Sequence, residues 1–204
     1  MKKYTSQYGE TLQAAALAVE EFDCSLIDAL CDVVPAVKPQ SAYFEMLGWR
    51  GMETLEEVIT HAKGKGLYVI ADIKRGDIGT TATAYAEGWL GTTRVGETDC
   101  AAFDADCVTL NGYMGSDAIK PFLDQCVARN KSAFVLAKTS NPSSVELQDM
   151  VAGDRVVYTV MGDLIERWGK DTAGKYGYNA LGAVVGATHP SVLKELRRRL
   201  EPTV

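Results

Sequence analysis

Five near-continuous apolar runs, Val33–Lys38, Leu67–Ile73, Cys107–Leu110, Ser132–Thr139 and Leu181–Thr188, constrain this chain more than any other feature. A run that is apolar at successive positions suits a strand covered on both faces, as parallel strands are. Between the runs lie segments of helical period. Leu55, Val58, Ile59 and Ala62 repeat at i, i+3, i+4 and i+7 until Gly64–Gly66 stops the pattern. Further helices are expected at Thr80–Trp89, Ser116–Ala128, Val156–Trp168 and Pro190–Leu200. Ahead of the first run, Glu10–Asp32 reads as a long amphipathic helix with Ala15, Val19, Phe22, Leu26 and Leu30 on one face. Strands alternating with helices of this length imply right-handed crossovers and a parallel sheet. The class is therefore α/β, either a (β/α) barrel or an open doubly wound sheet.

The polar residues favour the barrel. Lys38, Asp72, Lys74, Asn111, Ser140 and Thr188 all stand at or just past the C-terminal ends of the apolar runs, where parallel α/β folds build their sites. No GxGxxG or GxxxxGK[ST] follows a run, so the fingerprints of dinucleotide and nucleoside triphosphate binding are missing.

The stretch "ADIKRGDIG" gathers the charge. Side chains alternate along a strand, so Asp72 and Lys74 are expected on one side and Ile73 on the other. Lys38, ending the preceding run, would stand beside Asp72 if the two strands are neighbours. Asp77 follows in a turn through Gly76. The expected result is an alternating Lys–Asp–Lys–Asp array. Such residues at a strand end can form solvated ion pairs of ~0–1 kcal/mol. In a partly dehydrated pocket, unit charges ~4 Å apart interact by roughly 4 kcal/mol at an effective dielectric of 20, enough to matter for chemistry.

Composition narrows the partners. The 204 residues carry a formal net charge of −6, which offers no basic surplus to a nucleic-acid backbone. No apolar run approaches the roughly 18 residues of a membrane span, and the start "MKKYTSQYGE" lacks the apolar segment of a signal peptide. Cys24, Cys31, Cys100, Cys107 and Cys126 are odd in number and show no CxxC or Cys/His ligand spacing, so they read as buried free thiols in a reducing, cytoplasmic setting. His61 and His189, far apart, make no metal site, and none is expected. The "RGD" of Arg75–Asp77 belongs to the charged stretch, and "LRRRLEP" reads as a solvated last helical turn.

"AVKPQSAYFE", "ADIKRGDIGTTATAYA", "VTLNGYMGSDAIKPF", "VLAKTSNPSS" and "GAVVGATHP" together resemble the orotidine 5'-phosphate decarboxylase family, in particular its bacterial group with KRGDIG in the motif. The resemblance covers essentially the whole chain. It implies a (β/α)8 TIM barrel acting as a homodimer, which converts orotidine 5'-monophosphate to UMP in pyrimidine biosynthesis without metal or organic cofactor. Carried over by position, Lys38 resembles the lysine that contacts ribose and orients the first aspartate. Asp72 resembles the aspartate set against the substrate carboxylate, and Lys74 the acid that protonates C6. Asp77 resembles the second motif aspartate, contributed across the dimer interface to the ribose. Thr81 corresponds to a residue facing that neighbouring site, Ser140 to the serine that touches the pyrimidine, and Asn111 to a substrate-binding strand end.

The chain departs from the family pattern at both ends. Nine residues precede the helix at Glu10, too few for the family's first strand, and Val204 comes one helix after the sixth strand of the family order, so the seventh and eighth strands with their phosphate-gripping loops are expected to be absent from these residues. Residues 1–204 are thus expected to form a single barrel domain that is incomplete, since five strands cannot close an eight-stranded barrel. Either further segments exist in the molecule, or another chain completes the sheet, or this is a degenerate relative; alone it should decarboxylate weakly or not at all, because remote phosphate binding energy drives the reacting centre. Two other functions fit the motif. One is a magnesium-dependent sugar-phosphate lyase or decarboxylase of the wider superfamily, and the other a noncatalytic fragment serving as an assembly partner.

Overall fold

The computed structural model describes residues 1–204 as two compact units, one comprising Met1–Ile73 with Gly88–Val108, the other Lys74–Glu87 with Thr109–Val204. Five strands form one sheet: β1 (Ala36–Val37), β2 (Tyr68–Arg75), β5 (Cys107–Leu110), β6 (Ser132–Lys138) and β9 (Leu181–Val185), in that spatial order. β1 runs parallel to β2 with Ala36 opposite Tyr68, and β6 runs parallel to β9 with Ala133 opposite Leu181. All five apolar runs are therefore strands. All four residues of β5 are buried, as a run apolar on both faces requires.

In the first unit, α1 (Lys2–Tyr8) precedes α2 (Leu12–Leu30), whose first turn is capped by the Thr11 hydroxyl accepting from Ala14 N at 3.2 Å. The expected apolar face of α2 is not its buried face. Ala14, Ala16 and Ile27 are buried, whereas Phe22, Leu26 and Leu30 are exposed along a groove of about 440 Å³ shared with Val37, Tyr43 and Phe44. Small residues let α2 lie close to α4 (Trp49–Gly64), so the alanine side wins the packing. The start of β1 also differs from expectation. Val33 and Val34 donate their N–H groups to Leu30 O at 2.8 and 3.0 Å, extending the helix end and delaying the strand to Ala36. Between them and α4 sits the short α3 (Ala42–Glu45), and an exposed hairpin of β3 (Thr93–Val95) and β4 (Thr98–Cys100) was not legible as strands. Trp89 and Phe103, on either side of that hairpin in the sequence, stack with ring centres 4.1 Å apart, and Leu55, Ile59, Val69 and Val108 are fully buried in the core.

The second unit holds most of α5 (Gly79–Leu90), then α6 (Ser116–Arg129), a 3-10 turn (Pro142–Glu146), the short pair β7 (Val151–Ala152) and β8 (Arg155–Val156), α7 (Val157–Gly169) and α8 (Pro190–Arg199). α6 stops at Asn130, whose left-handed φ of 54° closes the helix. Ile119, Phe122, Val135, Ile165, Leu181 and Leu196 form the core. Arg199 is not simply solvated, because it grips Asp163 with two bonds of 2.7 and 2.8 Å. The thiols are free, but only Cys107 and Cys126 are buried; Cys100, on the hairpin, is exposed. No helix is long and apolar enough to cross a membrane.

Candidate active site

Past Val37, the chain stays beside β2 without forming a regular strand. Asp72 N donates to Pro39 O at 2.9 Å, and Gln40 pairs with Asp72 as an isolated parallel bridge. Ser41 secures the same peptide, its N–H and its hydroxyl each 3.3 Å from Asp72 O. Lys38 and Gln40, two residues apart, project to one side. Lys38 Nζ lies 2.8 Å and Gln40 Nε2 3.0 Å from the same oxygen, Asp72 Oδ2. The aspartate side chain is 6% exposed and the lysine 52%. A buried carboxylate needs hydrogen-bond donors, and these two supply them. The expected Lys38–Asp72 neighbourhood is present. Gln40 was not foreseen, although its spacing from Lys38 signalled a shared face.

The alternation rule does not carry through Lys74. β2 continues to Arg75, yet Lys74 has φ of +48°, so its orientation comes from a left-handed kink and not from the extended pleat. For a residue with a Cβ this conformation costs roughly 1–2 kcal/mol, and such strain gathers at functional sites. The kink is held by Thr109, buried on β5, whose Oγ1 accepts from Lys74 N at 3.0 Å. Thr109 was likewise not foreseen, since only register reveals it. The Lys74 side chain is exposed.

The following turn packs on the end of β5. Asn111 N donates to Arg75 O at 2.8 Å, and a Cβ on Gly76 would stand 2.9 Å from Asn111 O, so this crossing admits only glycine. The Arg75 guanidinium lies 5.6 Å from the Tyr85 ring centre. Asp77 is partly buried and accepts from Ile78 N at 2.8 Å, just ahead of α5. Thr81 is exposed in the first turns of that helix. Asn111 is exposed at the end of β5 with Oδ1 accepting from Tyr113 N at 3.0 Å. Ser140 is exposed two residues beyond β6, and Thr188 lies in the turn before α8. No group of three or more His, Cys, Asp or Glu side chains is arranged to hold a metal ion.

Chemically, the first group offers an anion held by a lysine and an amide, and the second offers an exposed ammonium on a strained backbone. Comparison with known proteins places the chain in a family. A family model described as "Orotidine 5'-phosphate decarboxylase / HUMPS family" matches residues 13–203. The chain is 44% identical over 191 residues to an orotidine 5'-phosphate decarboxylase of Rhodopirellula baltica, covering 94% of this chain and 62% of that relative. It is 42% identical over 180 residues to one from Caldicellulosiruptor saccharolyticus, covering 88% and 59%. Among solved structures, a Leishmania donovani OMP decarboxylase superposes with a TM-score of 0.76 at 36% identity, over 90% of this chain and 66% of that one. The chain thus spans about three-fifths of the length of the curated relatives it matches. Those neighbours are TIM barrels, and the five-stranded α/β sheet is that fold in incomplete form.

Proposed function

We infer, from the fact that the chain belongs to the orotidine 5'-phosphate decarboxylase / HUMPS family, that it decarboxylates orotidine 5'-monophosphate to UMP in pyrimidine biosynthesis. The observation that carries this reading is the buried Asp72 carboxylate, held on one oxygen by Lys38 and Gln40. Its strand neighbour two residues on is a lysine in a strained conformation.

In this reading Asp72 faces the substrate carboxylate. The bond from C6 to the carboxylate breaks, CO2 leaves, and the electron pair stays on C6, where no carbonyl can accept it. The Lys74 ammonium stabilises that charge and then transfers a proton from Nζ to C6, giving UMP. Repulsion between Asp72 and the carboxylate vanishes as CO2 departs, so it acts on the ground state and not on the transition state. Lys38 keeps Asp72 ionised and oriented while touching the ribose. Asp77 and Thr81 serve the ribose across a homodimer interface, Asn111 binds substrate, and Ser140 meets the pyrimidine. The enzyme works in the cytoplasm, as a cofactor-free lyase.

The test is an assay of the purified protein with orotidine 5'-monophosphate, with and without EDTA. Activity that chelation leaves unchanged supports the decarboxylase. Chelation-sensitive turnover of another sugar phosphate replaces it with a magnesium-dependent lyase. Silence toward both, in a folded protein that co-purifies with a second chain, leaves an assembly partner.

A further inference from the structure

β6 ends on a lysine that the proposed chemistry does not use. Lys138 is 1% exposed, and lysine is almost never so buried unless paired. Its Nζ lies 2.6 Å from Asp149 Oδ1, in the segment between β6 and α7, and 5.9 Å from the centre of the Tyr158 ring on α7. The Tyr158 hydroxyl donates to Glu195 Oε2 at 2.8 Å, and burial together with that carboxylate pushes the phenol up to about 12. The ring therefore stays neutral beneath the ammonium.

The next residue is held just as tightly. Thr139 N donates to Gln148 Oε1 at 2.8 Å, and Gln148 Nε2 donates back to Thr139 Oγ1 at 2.8 Å. The Thr139 hydroxyl donates onward to Asn141 Oδ1 at 2.6 Å. Gln148 is itself fixed, its backbone accepting from Tyr158 N at 3.0 Å and donating to Ser144 O at 2.8 Å. From the other side Gly186 N donates to Lys138 O at 2.7 Å, and a Cβ on Gly186 would stand 2.8 Å from Ser140 N. Residues 140–143 are all exposed, a stretch with little apolar contact to order it. What orders it is this polar frame around Thr139. A buried ion pair is weak as a source of stability and strong as a source of geometry.

We propose that Lys138, Asp149 and Gln148 are positioning residues, a two-point clamp that fixes the backbone at Thr139–Ser140 so that the Ser140 hydroxyl is presented to a pyrimidine base. Lys138 ties the start of the loop to its end through Asp149, and Thr139, one residue on, is tied to the same end through Gln148. The clamp rests on the function proposed above for the identity of the base, but its mechanical part stands on the bonds alone.

The experiment compares the intact chain with K138M and Q148A, reading amide hydrogen exchange at Thr139 and Ser140, melting temperature, and titrations with UMP and with ribose 5-phosphate. Methionine keeps the buried stem and leaves the half-exposed Asp149 to solvent. The expected result in Q148A is Thr139 exchange at least tenfold faster, a melting temperature nearly unchanged, UMP binding about tenfold weaker, and ribose 5-phosphate binding unaltered. K138M should give the same split. Unchanged exchange at Thr139 in Q148A overturns the clamp, as does equal weakening of both ligands, which would mark a general structural role. If K138M does not fold, Q148A carries the test alone. If the unaltered protein takes neither ligand while Q148A still releases Thr139, the clamp is supported and the decarboxylase reading fails.

Discussion

Lys38 Nζ lies 2.8 Å from Asp72 Oδ2, and the two partners are buried unequally, with 52% of the lysine side chain exposed against 6% of the aspartate. The inequality sets what each substitution does. K38M leaves a buried carboxylate with Gln40 as its neighbouring amide donor, whereas D72N leaves an ammonium that water can solvate. Losing a hydrogen bond between a charged donor and a buried carboxylate costs about 1.5–3 kcal/mol. K38M should therefore melt several degrees below the unaltered protein, and D72N should melt above K38M, as differential scanning calorimetry would read. On the proposed decarboxylase reading, both should lower whatever turnover of orotidine 5'-monophosphate the unaltered protein shows by roughly 10²–10³, the scale of losing one preorganised electrostatic group. D72N melting below K38M would show that the lysine, not the carboxylate, is the group that needs its partner.

The left-handed backbone at Lys74 separates stability from chemistry. K74A and K74G both remove the ammonium, but alanine keeps the strain of φ +48° and glycine does not. On the proposed reading both variants should be inactive. K74G should nevertheless be more stable than K74A by about 1 kcal/mol, or roughly 2–4 °C in melting temperature for a chain of this size. Equal melting temperatures would mean that the kink relaxes once the lysine is gone.

The turn after that kink tolerates no added atom. A Cβ at Gly76 would lie 2.9 Å from the backbone oxygen of Asn111 and 3.3 Å from its Cβ, and backbone cannot step aside as a side-chain tip can. G76A should cost about 1–3 kcal/mol, the scale of overpacking. It should also change the Asp77–Ile78 contact, seen as an altered Ile78 amide shift. An unperturbed spectrum would show that the Asn111 crossing is loose.

Strand centres are legible because burial on both faces leaves an unbroken apolar run, and the strand expected around Cys107–Leu110 forms there. The first strand was legible in place but not in extent, since Val33 and Val34 look like strand while their N–H groups serve the end of α2. The face of α2 misled because alanines count little in an apolar pattern yet permit the closest helix approach. In the candidate site, Lys38 and Asp72 followed from strand order alone. Gln40, Thr109 and Lys138 did not, because their roles depend on parallel register or on a loop residue eleven positions away. The kink at Lys74 has no local signature, for lysine carries no preference for positive φ.

A last expectation concerns acid. Asp163 on α7 accepts two bonds from Arg199 and is paired with Arg155, and the Arg199 guanidinium first, with Arg155 behind it, holds the Asp163 carboxyl below its ordinary value. A depressed carboxyl pKa means the folded state binds its proton less readily than the unfolded chain. The stabilisation is therefore fully present above about pH 4, the unfolded aspartate value, and disappears as pH falls through the lower folded value. Arg199 and Asp163 tie α8 to α7, so the loss should loosen the C-terminal helix. D163N removes the titrating group. Between pH 5 and pH 2.5 its melting temperature should fall less steeply than that of the unaltered protein, while at pH 7 it should sit slightly lower, by the ~1 kcal/mol of a partly exposed ion pair network. Parallel curves for the two proteins across that range would show that the Asp163 pairs contribute nothing to acid stability.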